Sequence, residues 1–341
     1  MARCRFEGGL LSIISGRSIF RLVALRLAWI FLCAAVGAAW PAMAQQAALD
    51  LSNGIARIEP PFLLTPADSR WSYEIRVAVP PDYATNGRSY PILWVTDGSD
   101  SFDPAVNAVF GSYGAVPPMI IVAIGVPREL RKDFQPRRSI DFRVGTEFRY
   151  SDIEAPGQAL VEQMRRPKSA ASLIPDPGKS GPWTAEKFLA FLVDEVRPQI
   201  VKRYRTEDRH RLSGCSGGGN FCLYSLFKRP DAFAGYICGS PAVNAERGAL
   251  FKLEAQYAAE HADLPAQLFL GAGEGEITQG GMISGYGIVS STARMAEILR
   301  LRNYPSLRLN TRIFPGGLHN SPGNIQILYE GLRTFAPPPP P

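Results

Sequence analysis

The sequence predicts an α/β fold: a mostly parallel central sheet with helices on both faces. Three observations predict it. Residues 92–96 and 119–125 are short, nearly continuous apolar runs bounded by Pro, Gly or Asp, as in strands covered on both faces. From Thr184 onward, short extended runs alternate with helical stretches, the pattern of parallel βαβ units. Between one such strand and the helix after it lies the glycine-rich turn Gly214-Cys215-Ser216-Gly217-Gly218.

In chain order, the first 44 residues combine a basic start, an apolar stretch over 22–39 broken by Arg26, and the small-x-small triplet Ala42-Met43-Ala44. This is expected to be a secretory signal peptide cut after Ala44. The apolar run that follows Arg26 is short for a membrane span, which needs about 20 apolar residues. A retained anchor is the other reading, and no stable span is expected after cleavage.

Residues 45–336 are expected to form one α/β domain. Residues 71–79 alternate polar and apolar side chains as a half-buried strand does, and Pro80-Pro81-Asp82 ends it. The buried strands 92–96 and 119–125 follow. Residues 126–182 are rich in Arg, Pro and Ser, with a helix expected only near 159–164, so they form a candidate lid insertion. Thr184 is placed to cap a helix in which Phe188, Leu189, Phe191, Leu192, Val196 and Ile200 recur at helical spacing.

Beyond it, strands are expected at 210–212, 233–238, 267–271 and 307–314, and helices at 217–227, 247–262, 291–302 and 325–335. The tail 337–341 is polyproline and need not pack.

Composition excludes several classes. Hydrophobic residues at 46% and charged residues at 20% of 341 are globular values. The net charge of +6 is not a nucleic-acid footprint: five arginines against Glu7 put +4 of it in residues 1–44, and +2 remains for the rest. Three dispersed histidines and five unclustered cysteines provide no metal-ligand spacing, and no cofactor is expected. Removing Cys4 and Cys33 with the signal leaves Cys215, Cys222 and Cys238, an odd number that allows at most one disulfide.

Gly214-x-Ser216-x-Gly218 fits the nucleophile elbow, in which a serine sits on a tight strand-to-helix turn and points out beyond the end of the sheet. A serine nucleophile needs a base, which follows it in this fold. His210 precedes the turn and reads as structural. His261 ends a charged helical stretch and reads as a surface residue. His319, in a loop before the last helix, is the expected base. The acid is expected in Gly273-Glu274-Gly275-Glu276, with Glu276 first, Glu274 second and Asp263 weaker because it precedes the strand. The oxyanion donors are expected at the amide of Gly217 and in Asp97-Gly98-Ser99, at Ser99 or Gly98.

With these residues in place, the chain resembles the esterase family of α/β-hydrolases that includes esterase D, the enterobactin-type siderophore esterases and the mycolyltransferases. The resemblance rests on Val79-Pro80-Pro81-Asp82-Tyr83, on Tyr90-Pro91-Ile92-Leu93 leading to Asp97-Gly98, on the glycine-rich turn followed by Pro230, Phe233 and Gly239-Ser240-Pro241, and on Gly317-Leu318-His319 with Gly331-Leu332. Cys215 stands where the family more usually has His or Tyr.

The resemblance implies the α/β-hydrolase fold and a periplasmic or secreted serine esterase acting on a small-molecule ester, with Glu276 as the acid. It also implies a siderophore-type ester, an anionic catecholate that Arg131, Arg137, Arg138, Arg165 and Arg166 would meet unless they form a solvated face. Acyl transfer to another alcohol, and a non-catalytic binding protein on a hydrolase scaffold, are the alternative readings. Oligomeric state is not legible.

Overall fold

The structure, a computed structural model, describes residues 55–69, 71–144, 184–319 and 323–335. The expected signal peptide, the helix near 159–164, the lid beyond residue 144 and the proline tail lie outside the described residues.

Nine strands form one sheet. β1 (Arg57–Ile58) and β2 (Phe62–Leu64) both pair antiparallel with β3 (Tyr73–Val79), which is itself antiparallel to β5 (Ile120–Gly125). From β5 the order runs through β4 (Ile92–Val95), β6 (Arg211–Cys215), β7 (Gly235–Gly239), β8 (Gln267–Gly273) and β9 (Arg308–Phe314), all parallel. The predicted mostly parallel sheet with covered faces is therefore present. The short antiparallel end at β1–β3 matches the half-buried alternation of 71–79.

Helices cover both faces because adjacent side chains of a strand point to opposite sides. Ile92 and Trp94 of β4 join the core under a long helix α4 (Ala185–Ala190, continued by Phe191–Val196 and Arg197–Arg203), α5 (Gly217–Lys228), α6 (Ala245–Glu260) and α8 (Ile288–Arg302). Leu93 and Val95 join the opposite core under α2 (Gly98–Phe110) and α9 (Gly323–Thr334). The short helices α1 (Tyr83–Asn86), α3 (Phe134–Asp141) and α7 (Gly281–Gly285) complete the set of described helices. Phe188, Phe191 and Phe221 are fully buried beneath α4 and α5, each contributing about 1.5–3 kcal/mol by leaving water.

Three local differences from the sequence reading have physical causes. Residues 98–110 are a helix that the sequence reading did not place, having taken Asp97-Gly98-Ser99 as a loop; Phe102, Ala105, Val106 and Val109 dock it on the sheet. The middle of α4 widens to a π turn at Phe191–Val196, where three consecutive side chains, Phe191, Leu192 and Val193, are all buried. Residues 128–141, within the stretch read as a lid, form a 3₁₀ turn and α3, with Phe134 and Ile140 buried. Thr184 has the extended backbone of a cap but makes no side-chain capping bond.

Cys222 of α5 and Cys238 of β7 form a disulfide, with Cα atoms 5.4 Å apart, and Cys215 is the free cysteine among the described residues. Three thiols thus resolve into one pair and one single.

Candidate active site

β6 ends at Cys215, and α5 begins at Gly217; Ser216 is the single residue between them. Its backbone has φ 59 and ψ −121, a conformation an L side chain rarely adopts. So sharp a turn brings strand and helix backbones together. A Cβ at Gly214 would lie 2.2 Å from the Gly218 carbonyl oxygen, and one at Gly218 would lie 2.4 Å from the Thr96 hydroxyl. The two flanking glycines are a steric requirement of the bend.

Ser216 Oγ lies 2.8 Å from His319 Nε2. Of the three histidines only His319 reaches the serine. His210 is buried edge-on against Trp94, and burial, with the nearby Arg197 charge, pushes it down to about 4. His261 stacks on Tyr257 at the end of α6, with ring centroids 4.2 Å apart.

Glu276 sits in the 3₁₀ turn Glu274–Ile277 after β8 and is 1% exposed. Its Oε2 lies 3.6 Å from His319 Nδ1, and neither atom has another partner in the structure. A buried donor and a buried acceptor facing each other without other partners favour closing that gap. Glu274 points elsewhere: its Oε2 accepts the Gly316 N–H at 3.1 Å. Asp263 accepts the N–H groups of Leu264 and Ser306 instead, each at 2.8 Å.

Glycines in both loops make this meeting possible by close approach. A Cβ on Gly273 would stand 2.2 Å from the Gly317 carbonyl oxygen, so the acid loop and the histidine loop touch backbone to backbone. Gln279 completes the tie by accepting the His319 N–H at 2.8 Å.

The two expected oxyanion residues open helices. Gly217 is the first residue of α5, and Ser99 is the second of α2; first-turn amides lack carbonyl partners within their own helices. The Ser99 hydroxyl is buried without a partner. A cavity of about 280 Å³ lies beside the elbow, lined by Cys215, Gly239, Asp100, Asn324, Ile325 and Leu328 among others. The Cys215 thiol donates to Asn324 Oδ1 at 2.8 Å, and burial pushes it up to about 12, so it stays protonated.

Two residues named in the sequence reading take roles that it did not assign to them. Ser240, just after β7, donates its hydroxyl to Glu276 Oε1 at 2.5 Å. Arg138 of α3 donates from Nε to Asp97 Oδ1 at 2.8 Å and from Nη2 to the Cys215 carbonyl at 3.0 Å. It thereby joins the start of α2 to the elbow. Burial pushes the Asp97 carboxyl up, and the Arg138 charge opposes that rise.

The expectation that a group of arginines faces an anionic ligand needs correction. Arg137 is buried, donates to the Ser72 carbonyl and lies over the Trp71 and Tyr73 rings. Arg131 pairs with Asp100, and Arg138 with Asp97. Arg165 and Arg166 are outside the described residues. Sequence proximity grouped these arginines, whereas helical spacing in α3 sends neighbours to different partners. Among the described residues no three His, Cys, Asp or Glu side chains form a metal-binding group, and no helix is long and apolar enough to cross a membrane.

Comparisons with known proteins bear on the fold and on sequence relatedness. Residues 166–276 match a family described as "Putative esterase". The chain is 26% identical over 198 residues to the ferri-bacillibactin esterase BesA of Bacillus subtilis, a match covering 54% of this chain and 60% of that protein. It is 30% identical over 179 residues to the siderophore triacetylfusarinine C esterase of Aspergillus fumigatus, covering 50% of this chain and 51% of that one. The chain thus spans between half and three-fifths of these relatives' length. The solved siderophore hydrolase EstB of Aspergillus nidulans superposes with a TM-score of 0.65 at 21% identity, covering 85% of this chain and 96% of that one. The chain therefore shares the fold of that solved siderophore hydrolase, a mostly parallel sheet with helices on both faces, and about a third of its sequence matches the esterase family model.

Proposed function

We propose that this relative of the siderophore esterases is an exported serine esterase that hydrolyses a carboxylic ester through an acyl-Ser216 intermediate. The observation that carries the reading is the 2.8 Å approach of Ser216 Oγ to His319 Nε2 on a strained strand-to-helix turn.

In this mechanism His319 Nε2 takes the hydroxyl proton as Ser216 Oγ attacks the ester carbonyl carbon. The amides of Gly217 and Ser99 hold the oxyanion of the tetrahedral intermediate. Its collapse breaks the C–O bond, and the imidazolium returns the proton to the leaving alcohol. Water, activated by the same imidazole, then attacks the acyl carbon and frees Ser216. Glu276 faces the other ring nitrogen, where a carboxylate fixes the tautomer and stabilises the imidazolium. Cys215 takes no part, because a thiol held protonated is a poor nucleophile.

Two features support export. The N-terminal 44 residues carry the basic, apolar and small-x-small succession of a signal peptide, and the Cys222–Cys238 bridge suits an oxidising compartment. The substrate reading follows the relatives: ferri-bacillibactin and triacetylfusarinine C are the first esters to test.

The test is to label the purified protein with a fluorophosphonate probe beside Ser216→Ala, then to follow hydrolysis of those two siderophores by mass spectrometry. Labelling confined to the wild type, with ring-opened or shortened products, is the expected result. Equal labelling of both proteins overturns the serine assignment, and intact siderophores beside rapid turnover of simple esters overturn the substrate assignment.

A further inference from the structure

Ser240 combines three properties that ordinary core residues do not share. It is completely buried, it is not glycine although its φ is 42, and its hydroxyl donates to the carboxylate that faces His319. The residue before it, Gly239, would take a positive φ at no steric cost, yet the strained position carries a side chain.

The surrounding hydrogen bonds show what that side chain does. The Ser240 N–H donates to the Gly271 carbonyl at 2.7 Å, which anchors the residue to β8, the strand leading into the acid turn. Its hydroxyl donates to Glu276 Oε1 at 2.5 Å, and the Gly273 N–H donates to the same oxygen at 3.1 Å. Both donors hold one oxygen. The other, Oε2, is left facing His319 Nδ1.

A carboxylate turns about the bond that joins it to its chain, and its two oxygens are chemically equivalent. Only asymmetric hydrogen bonding decides which of them meets the imidazole. We infer that Ser240 is a positioning residue for the ester hydrolysis proposed above: it pins Oε1 so that Oε2 meets the imidazolium as it forms. The inference rests on that proposed reading and names the group that orients its acid.

The test uses Ser240→Gly, which removes the hydroxyl while suiting the positive φ, beside Ser240→Ala, Glu276→Gln, the Ser240→Gly/Glu276→Gln double variant and Ser216→Ala. The whole secreted chain is assayed with p-nitrophenyl acetate, and thermal melting checks folding. For Ser240→Gly, kcat is expected to fall roughly 10- to 100-fold, the worth of one charge-assisted hydrogen bond, with KM within about twofold. The double variant is expected to be no slower than Glu276→Gln alone, because the serine acts only through the carboxylate.

Three results overturn the proposal: wild-type kcat in Ser240→Gly, losses in the double variant that multiply, or wild-type kcat in Glu276→Gln. Full turnover by Ser216→Ala instead refutes the serine mechanism itself, so the two failures are distinguishable.

Discussion

His319 and His210 are equally withdrawn from solvent, each 7% exposed, yet they occupy opposite ends of the parallel strands and do opposite things. His210 precedes β6, lies edge-on to Trp94 and is driven neutral by burial. His319 follows β9 and lies between a hydroxyl and a carboxylate. The buried glutamates repeat the contrast. Glu254 and Glu276 are each 1% exposed, but both oxygens of Glu254 accept from Arg302, at 2.8 and 3.0 Å, whereas Glu276 keeps one oxygen unpartnered toward His319. Burial therefore does not mark the site. Nor does an unpartnered atom alone, since His210 Nδ1 is also buried without a partner; what marks it is two such atoms, Glu276 Oε2 and His319 Nδ1, facing each other beside a hydroxyl.

The sharpest way to break this contrast is to exchange the histidines for glutamine. His319→Gln is expected to lower kcat/KM by about 10⁴-fold or more, because no other described histidine reaches Ser216. His210→Gln should stay within about twofold, and steady-state assay on one chromogenic ester compares them. A comparable loss in both would end the distinction.

The glutamates provide the next test. Glu276→Gln should cost roughly 10²- to 10⁴-fold in kcat. Glu254→Gln should leave kcat unchanged and lower unfolding free energy by about 1–3 kcal/mol, since it removes one side of the pair with Arg302. Urea unfolding beside kinetics separates the two outcomes.

Gly273→Ala probes the contact between loops rather than either side chain. A Cβ 2.2 Å from the Gly317 oxygen must push the acid and histidine loops apart, and a displacement near 1 Å is expected to cost on the order of 10²-fold in kcat. A fully active Gly273→Ala would show that the loops need not touch.

The smallest expected effect is one of pH. A histidine lowered from an ordinary 6.5 to about 4 binds more protons unfolded than folded between those values. The stability that neutral His210 contributes is complete above about pH 6.5 and is lost as pH falls toward 4. Denaturant midpoints of the wild type should drop across that window more than those of His210→Gln, and parallel curves would show that His210 is not the titrating group.

Much of this was legible in the chain. The apolar runs at 92–96 and 119–125 became β4 and β5, and the strand–turn–helix around Ser216 was visible because an elbow has no other way to form than with glycine at both flanks. Strand 210–212 was read too short: Ser213, Gly214 and Cys215 carry little strand propensity, and it is pairing with β7 that extends β6 to Cys215. Helix α2 was missed where Asp97-Gly98-Ser99 was taken as a loop, for the same reason, since docking on the sheet overrides local preference.

The sequence by itself determined the alternation of strands and helices, the bend at Ser216, and the candidacy of His319 and Glu276, because each depends on side-chain size, periodicity or order along the chain. Only the tertiary structure decided that Ser240 reaches the Glu276 carboxylate and that Arg138 ties Asp97 to the Cys215 carbonyl. These contacts join residues 36, 41 and 77 positions apart. No local pattern encodes them, because they exist only once the sheet has set its strand order and brought those ends together.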